Sequence, residues 1–179
     1  MSLYKKKLFK TPSQTVGPFF QNYLKFDFNK NISSIKKNKI KNRISLNLNI
    51  KDKKNRIVKD AFIEYWLFYK KNNKKIFLLF NRIKYDIKKK AFLINLNEYK
   101  FNTYLYLTIF SRGLLNHLHT VIYFNDLNFF KKDIFFKKLP IDRRHFMIAK
   151  LIKFENDIKF YKHDLHLNGT KESIFFYID

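Results

Sequence analysis

The sequence predicts an all-β domain, a sandwich or barrel, on three observations. Apolar residues recur at every second position in several short segments, turn-like polar clusters separate those segments, and nothing sustains a helical period. Ile44, Leu46, Leu48 and Ile50 give the clearest alternation and predict a half-buried strand. Asp52-Lys53-Lys54-Asn55 reads as a turn, and Ala61 to Tyr69 as the returning strand around Trp66, the one tryptophan. Ile76 to Lys84 and Ala91 to Leu96 predict two more strands, on either side of Lys88-Lys89-Lys90. Tyr104 to Phe110 and His119 to Phe124 form a further pair, joined through Ser111 to Asn116. Arg143 to Lys153 and Ile158 to Leu167 predict strands, Asn168-Gly169 a tight turn, and Ser173 to Ile178 a closing strand.

At 179 residues and 46% hydrophobic, the chain is expected to be one domain with a sizeable core. Residues 1–42 read as an arm and loop, within which Asn29 to Lys41 is a loose polar connection, and 43–179 as the sandwich. The absence of cysteine excludes disulfides, thiolate metal sites and thiol nucleophiles. The basic opening Lys5-Lys6-Lys7 has no apolar run behind it, and Phe62 to Tyr69 and Ile76 to Phe80 are too short to cross a bilayer as helices. A cytoplasmic protein without membrane contact is expected.

The formal net charge of +24 invites a nucleic-acid reading, with aromatic rings available to stack on bases. The lysines, however, are spread along the chain in short runs and do not gather in one segment. Lys, Asn, Ile, Phe and Tyr are also the residues with the most A+T-rich codons. The charge is therefore read as compositional, with a basic nucleic-acid-binding β-domain as the alternative.

Pro12, Gly17 and Pro18 crowd into Thr11-Pro12-Ser13-Gln14-Thr15-Val16-Gly17-Pro18-Phe19-Phe20, although the whole chain has only three prolines and three glycines. Each proline fixes its own φ and steers its predecessor away from the helical region, so a stiff, extended path is expected. Four other groups carry candidate chemistry. His117 and His119, two apart on a strand, share a face and are able to meet one metal if a third ligand exists; a strand-end or subunit-contact role is preferred. Ser111-Arg112-Gly113 sets a guanidinium at a strand end, either an anion contact or a surface residue. Asp142-Arg143-Arg144 admits an anion site, a turn or an ion pair. Glu64, in an apolar strand, calls for a structural partner. No carboxylate pair, Ser/His/Asp order or phosphate-binding glycine loop is present, so the residues alone give no complete active site.

The stretch Thr11 to Phe19 resembles the N-terminal signature of the intradiol ring-cleaving dioxygenases. Asp60-Ala61-Phe62-Ile63-Glu64-Tyr65-Trp66, Phe110-Ser111-Arg112-Gly113, Asn116-His117-Leu118-His119-Thr120, Arg143-Arg144 with Ile148-Ala149-Lys150, and Ile174-Phe175-Phe176 follow in the family's order. Within the family the likeness is to the alpha-type subunit of the two-subunit members. The resemblance implies a β-sandwich with mixed sheets and a hetero-oligomer of alpha-beta pairs. It further implies that Fe(III) sits in the partner beta subunit and that the substrates are a catechol-type aromatic acid and O2. No metal ligand and no catalytic residue is expected in this chain, which alone would be inactive; the positions matching the family's His-x-His are Tyr104 and Tyr106. Thr15, Gly17 and Pro18 are implied as pocket wall and Arg112 as a charged contributor to substrate binding. A self-sufficient homo-oligomeric dioxygenase is disfavoured by the missing His-x-His. Glycines the family carries before the Tyr85 to Phe92 hairpin are absent, which predicts strained turns costing about 1 kcal/mol each.

Overall fold

A computed structural model describes residues 40–71, 74–99, 102–126, 130–131 and 133–176. The Pro/Gly-rich stretch, and Asn29 to Lys41 apart from its last two residues, lie outside these.

Alternation in the sequence becomes alternation in burial. In β1 (Ile40–Lys51) Ile44, Leu46, Leu48 and Ile50 are enclosed, while Arg43 before them and Asn47 among them face solvent. Seven further strands follow: β2 (Phe62–Lys71), β3 (Lys74–Lys84), β4 (Phe92–Tyr99), β5 (Asn102–Phe110), β6 (Leu118–Phe124), β7 (Ile148–Glu155) and β8 (Ile158–His166). They form one continuous sheet in the order β3-β2-β5-β6-β7-β8-β1-β4. The sheet folds over so that β3-β2-β5-β6 packs on β7-β8-β1-β4. Between these halves lies the main core, which joins Leu46, Leu48 and Ile94 to Ile63, Leu67, Leu105, Leu107 and Phe124. Each such side chain contributes roughly 2 kcal/mol by leaving water.

The sheet is mixed: β1 runs parallel to β8 and β6 parallel to β7, while the remaining pairs are antiparallel. The β6–β7 seam that joins the halves pairs only Tyr123 with Ile148 and Phe124 with Ala149. The expected β-sandwich with mixed sheets is therefore the observed fold. Asn156 and Asp157, at φ 50° and 60°, make the turn between β7 and β8, and Lys90 holds φ 54° in the turn before β4. Lys90 sits in the glycine-poor hairpin where strain was expected.

Two expectations fail. Arg143 to Lys153 is not one strand, because Ile141–Met147 is a 3-10 helix opened by Pro140, and β7 begins only at Ile148. A further short helix, α1 (Ile134–Lys138), was not anticipated; Asp133 caps it by accepting from the amides of Phe135 (2.8 Å) and Phe136 (3.3 Å). Arg144 closes its other end, donating through Nε to the Leu139 carbonyl at 3.0 Å and through Nη2 to that of Lys137 at 2.6 Å. Both helices are too short to show a hydrophobic period. Nor do residues 173–176, the described part of the expected closing strand, form one: they make a single bridge, Phe176 to His119. Among the described residues no helix is long and apolar enough to cross a membrane.

Candidate ligand cavity on the outer face of the sheet

Residues of β2, β5 and β6 that point away from the main core form a second, aromatic surface. Trp66 lies opposite Tyr106 and Phe68 opposite Tyr104 across β2 and β5. Tyr106 faces Val121, and Thr108 faces His119, across β5 and β6. Helix α1 packs over one end of this surface, where Phe136 and Phe130 meet the ring of Tyr123 at 5.2 and 6.0 Å. What remains between is a cavity of about 760 Å³, closed by Asp133, Phe135, Lys138 and Phe176. A smaller cavity of about 490 Å³ lies against Arg43, Tyr65, Asn81 and Asn95, with no imidazole or carboxylate in its wall. Of these two, the aromatic cavity is the one with an imidazole and a carboxylate in its wall.

Its polar groups are few and unusual. The hydroxyls of Tyr104 and Tyr106 are buried and have no hydrogen-bond partner among the described residues. Burial pushes the Tyr104 phenol up to about 12, and the Asp133 carboxylate adds to it; burial alone takes Tyr106 to about 12. Tyr123 is driven upward by burial, then by Asp133 and Tyr104. His119 has its pKa lowered, chiefly by burial and further by His117, and its Nδ1 lies 3.1 Å from Thr108 Oγ1. At neutral pH the cavity thus presents protonated phenols and an uncharged imidazole.

Ferric ion favours ionised oxygen ligands together with imidazoles. Among the described residues one imidazole lines the cavity, and Asp133 Oδ1 is committed to the cap of α1. Among the described residues no cluster of three His, Cys, Asp or Glu side chains exists. The described lining thus brings one imidazole, not a pair, to the phenols of Tyr104, Tyr106 and Tyr123.

The other predicted residues separate. His117 and His119 do come together, with ring centroids 4.5 Å apart, but His117 stacks on Phe110 at 5.3 Å and faces solvent. Asp126, the nearest acid in sequence, is engaged elsewhere. Arg112 follows β5, just before Gly113 at φ +81°. Its Nε donates to Asp60 Oδ2, and 60% of its side chain remains accessible. Thr15, Gly17 and Pro18 lie outside the described residues. Glu64 has the structural partner expected, Arg82 at 2.5 Å, and Arg143 donates to the Glu172 carbonyl at 2.9 Å.

Sequence reasoning missed a buried ionic cluster at the sandwich edge. Lys159 Nζ lies 2.5 Å from Asp126 and 3.0 Å from Glu98, Tyr161 donates to Asp126, and Asn42 Nδ2 donates to Glu98 at 2.8 Å. It ties β1, β4 and β8 to the end of β6. The cavity itself was signalled by β5, where Tyr104-Leu105-Tyr106-Leu107 is apolar at both parities, as a strand covered on both faces must be.

The sequence matches no protein-family model and no curated protein. Solved structures do resemble the fold. The dioxygenase domain of a dioxygenase carbohydrate-binding protein fusion from Streptomyces sp. SirexAA-E aligns with TM-score 0.56 and 13% identity, over 88% of this chain and 97% of that one. Hydroxyquinol 1,2-dioxygenase from Pseudomonas putida DLL-E4 gives 0.53 and 14%, over 87% and 66%. 3-Chlorocatechol 1,2-dioxygenase from Rhodococcus opacus 1CP gives 0.54 and 12%, over 74% of this chain and 62% of that one, so this chain spans less than two thirds of the latter enzyme. These neighbours are intradiol ring-cleavage dioxygenases. At such identities the likeness is one of fold.

Proposed function

We propose that this chain is the alpha-type, non-catalytic subunit of a protocatechuate 3,4-dioxygenase. Its partner is an iron-bearing beta subunit. Together they would open 3,4-dihydroxybenzoate between its hydroxyl-bearing carbons with O2, giving 3-carboxy-cis,cis-muconate. The observation that carries this reading is the residue pair on β5: the positions that resemble the family's paired histidines hold Tyr104 and Tyr106, whose hydroxyls have no hydrogen-bond partner among the described residues. A sandwich of the intradiol type in which tyrosines stand where the family's paired histidines are expected suits a chain whose partner supplies the iron.

In this reading the chain contributes shape and charge at a shared pocket. Thr15, Gly17 and Pro18 form a stiff wall, and Arg112 offers a guanidinium to an anionic aromatic acid. The Asp60 contact at Nε orients that guanidinium while most of the side chain stays open to a neighbour.

Co-expression tests the proposal. The chain purified alone should carry no stoichiometric iron and consume no O2 with protocatechuate. The complex with an iron-bearing beta homologue should do both. A lone chain that is loaded with ferric ion and turns over would overturn it.

A further inference from the structure

The outer cavity makes a ligand site in its own right, independent of where iron is held. Three features of its geometry define what fits. The walls are flat and aromatic: Trp66 meets Tyr106 at 5.7 Å, Phe68 stacks with Tyr104 at 5.9 Å, and Tyr123 lies 6.4 Å from Tyr104. The volume, about 760 Å³, is within the range of small-molecule pockets. Two hydroxyls, one on a tyrosine that is 8% exposed, are enclosed with no acceptor among the described residues. A buried donor without an acceptor is costly, so an acceptor brought by a ligand recovers what the protein leaves unmade.

Charge narrows the class further. Asp133 stands in the wall and its carboxylate disfavours negative charge on Tyr104 and Tyr123. It would act likewise on an anionic guest beside them. Lys138 is the cation in the wall, but it lies in the last turn of α1 and is exposed. His119 is uncharged. An anion in the cavity meets the two O–H donors together with an acid and no buried base, whereas a neutral acceptor meets the same donors without that repulsion.

We propose that this cavity binds an uncharged planar aromatic molecule whose carbonyl-type oxygen accepts from the Tyr104 and Tyr106 hydroxyls while its ring lies among Trp66, Phe68 and Tyr123. Aryl esters, aldehydes and ketones belong to the class; free aromatic acids do not. The proposal goes beyond the assignment above, since it concerns a ligand taken by this chain without its partner.

Calorimetric titration of the full purified chain with methyl benzoate and, separately, with benzoate tests it. The ester should saturate the chain with Kd near or below about 1 mM, as expected of a fragment of this size, and benzoate should bind at least roughly ten times more weakly. Tyr104→Phe with Tyr106→Phe keeps the rings and removes only the donors; it should weaken the ester about tenfold or more while leaving the far-ultraviolet circular dichroism unchanged. Val121→Trp, on the cavity floor, should abolish ester binding. Should either variant fail to fold, the ester-to-benzoate ratio on the unmodified chain decides alone. Equal or preferred binding of benzoate, unaltered affinity in the folded double-Phe chain, or no saturable ester binding at about 10 mM each overturns the proposal.

Discussion

Acidification should destabilise this chain through one histidine. His163, on β8, is 7% exposed, and its Nε2 has no hydrogen-bond partner among the described residues. Burial takes its pKa from 6.5 down to about 4, against the smaller upward pull of the Ile148 backbone, Asp164 and the Phe146 backbone, and with His166 pushing it down. The sign follows from the depressed folded value. Above about 6.5 neither state protonates the ring and its contribution is intact; below, the unfolded chain takes up a proton that the folded chain refuses. Stability is lost between about 6.5 and 4. The full loss is about 3 kcal/mol, and about 2 kcal/mol of it has occurred by pH 5. His163→Leu removes the titration, at a fixed cost from lost backbone contacts. Urea unfolding followed by Trp66 fluorescence at pH 8 and pH 5 measures the difference. The wild-type chain should lose about 2 kcal/mol more than the variant over that interval, whatever their offset at pH 8. Other groups with shifted pKa values, His119 and His166 among them, act on both chains and cancel in the comparison. Parallel losses in the two proteins would refute the reasoning.

Other outcomes follow from the same structure. Lys159→Met leaves Glu98 and Asp126 facing each other without their shared cation, and should cost about 3 kcal/mol in urea unfolding at pH 7. Lys90→Gly relieves a positive φ in the turn before β4 and should raise stability by about 1 kcal/mol; a lower melting temperature would contradict that. In the complex with a beta subunit, Arg112→Ala should lower kcat/KM for protocatechuate about tenfold or more, with the assembly unchanged on gel filtration. Unchanged kinetics would remove Arg112 from the substrate pocket.

What the sequence showed, and what it hid, depends on the range of the interactions involved. Strand β1 was legible because one of its faces is dry and the other wet, so Ile44 to Ile50 alternate with polar residues. Strand β5 was found, but its second covered face was not, since Tyr104 and Tyr106 read as ordinary strand residues until α1 is seen above them. Helix α1 and the 3-10 helix after it are fixed by local capping, at Asp133 and Pro140, and by two carbonyl contacts from Arg144. Such features leave no periodic trace. The expected strand from Arg143 failed there because Pro140 and Asp142 favour a helical opening over extension. For the candidate site, Arg112 and the two histidines were named in advance, yet their partners were not: Asp60, Thr108 and Phe110 are brought near by pairing of β2, β5 and β6. Single contacts within the Lys159 cluster reach across 61 positions, a separation no local pattern reports.

Strand β5 serves two rooms through one wall. Leu105 and Leu107 hold the sandwich together, and their immediate neighbours Tyr104 and Tyr106 shape the chamber outside it. A slip of one position along the chain would exchange the occupants of both rooms at once. Drift in the inner leucines is thereby felt next door as a shifted phenol, so the outer chamber inherits its rigidity from packing it never touches.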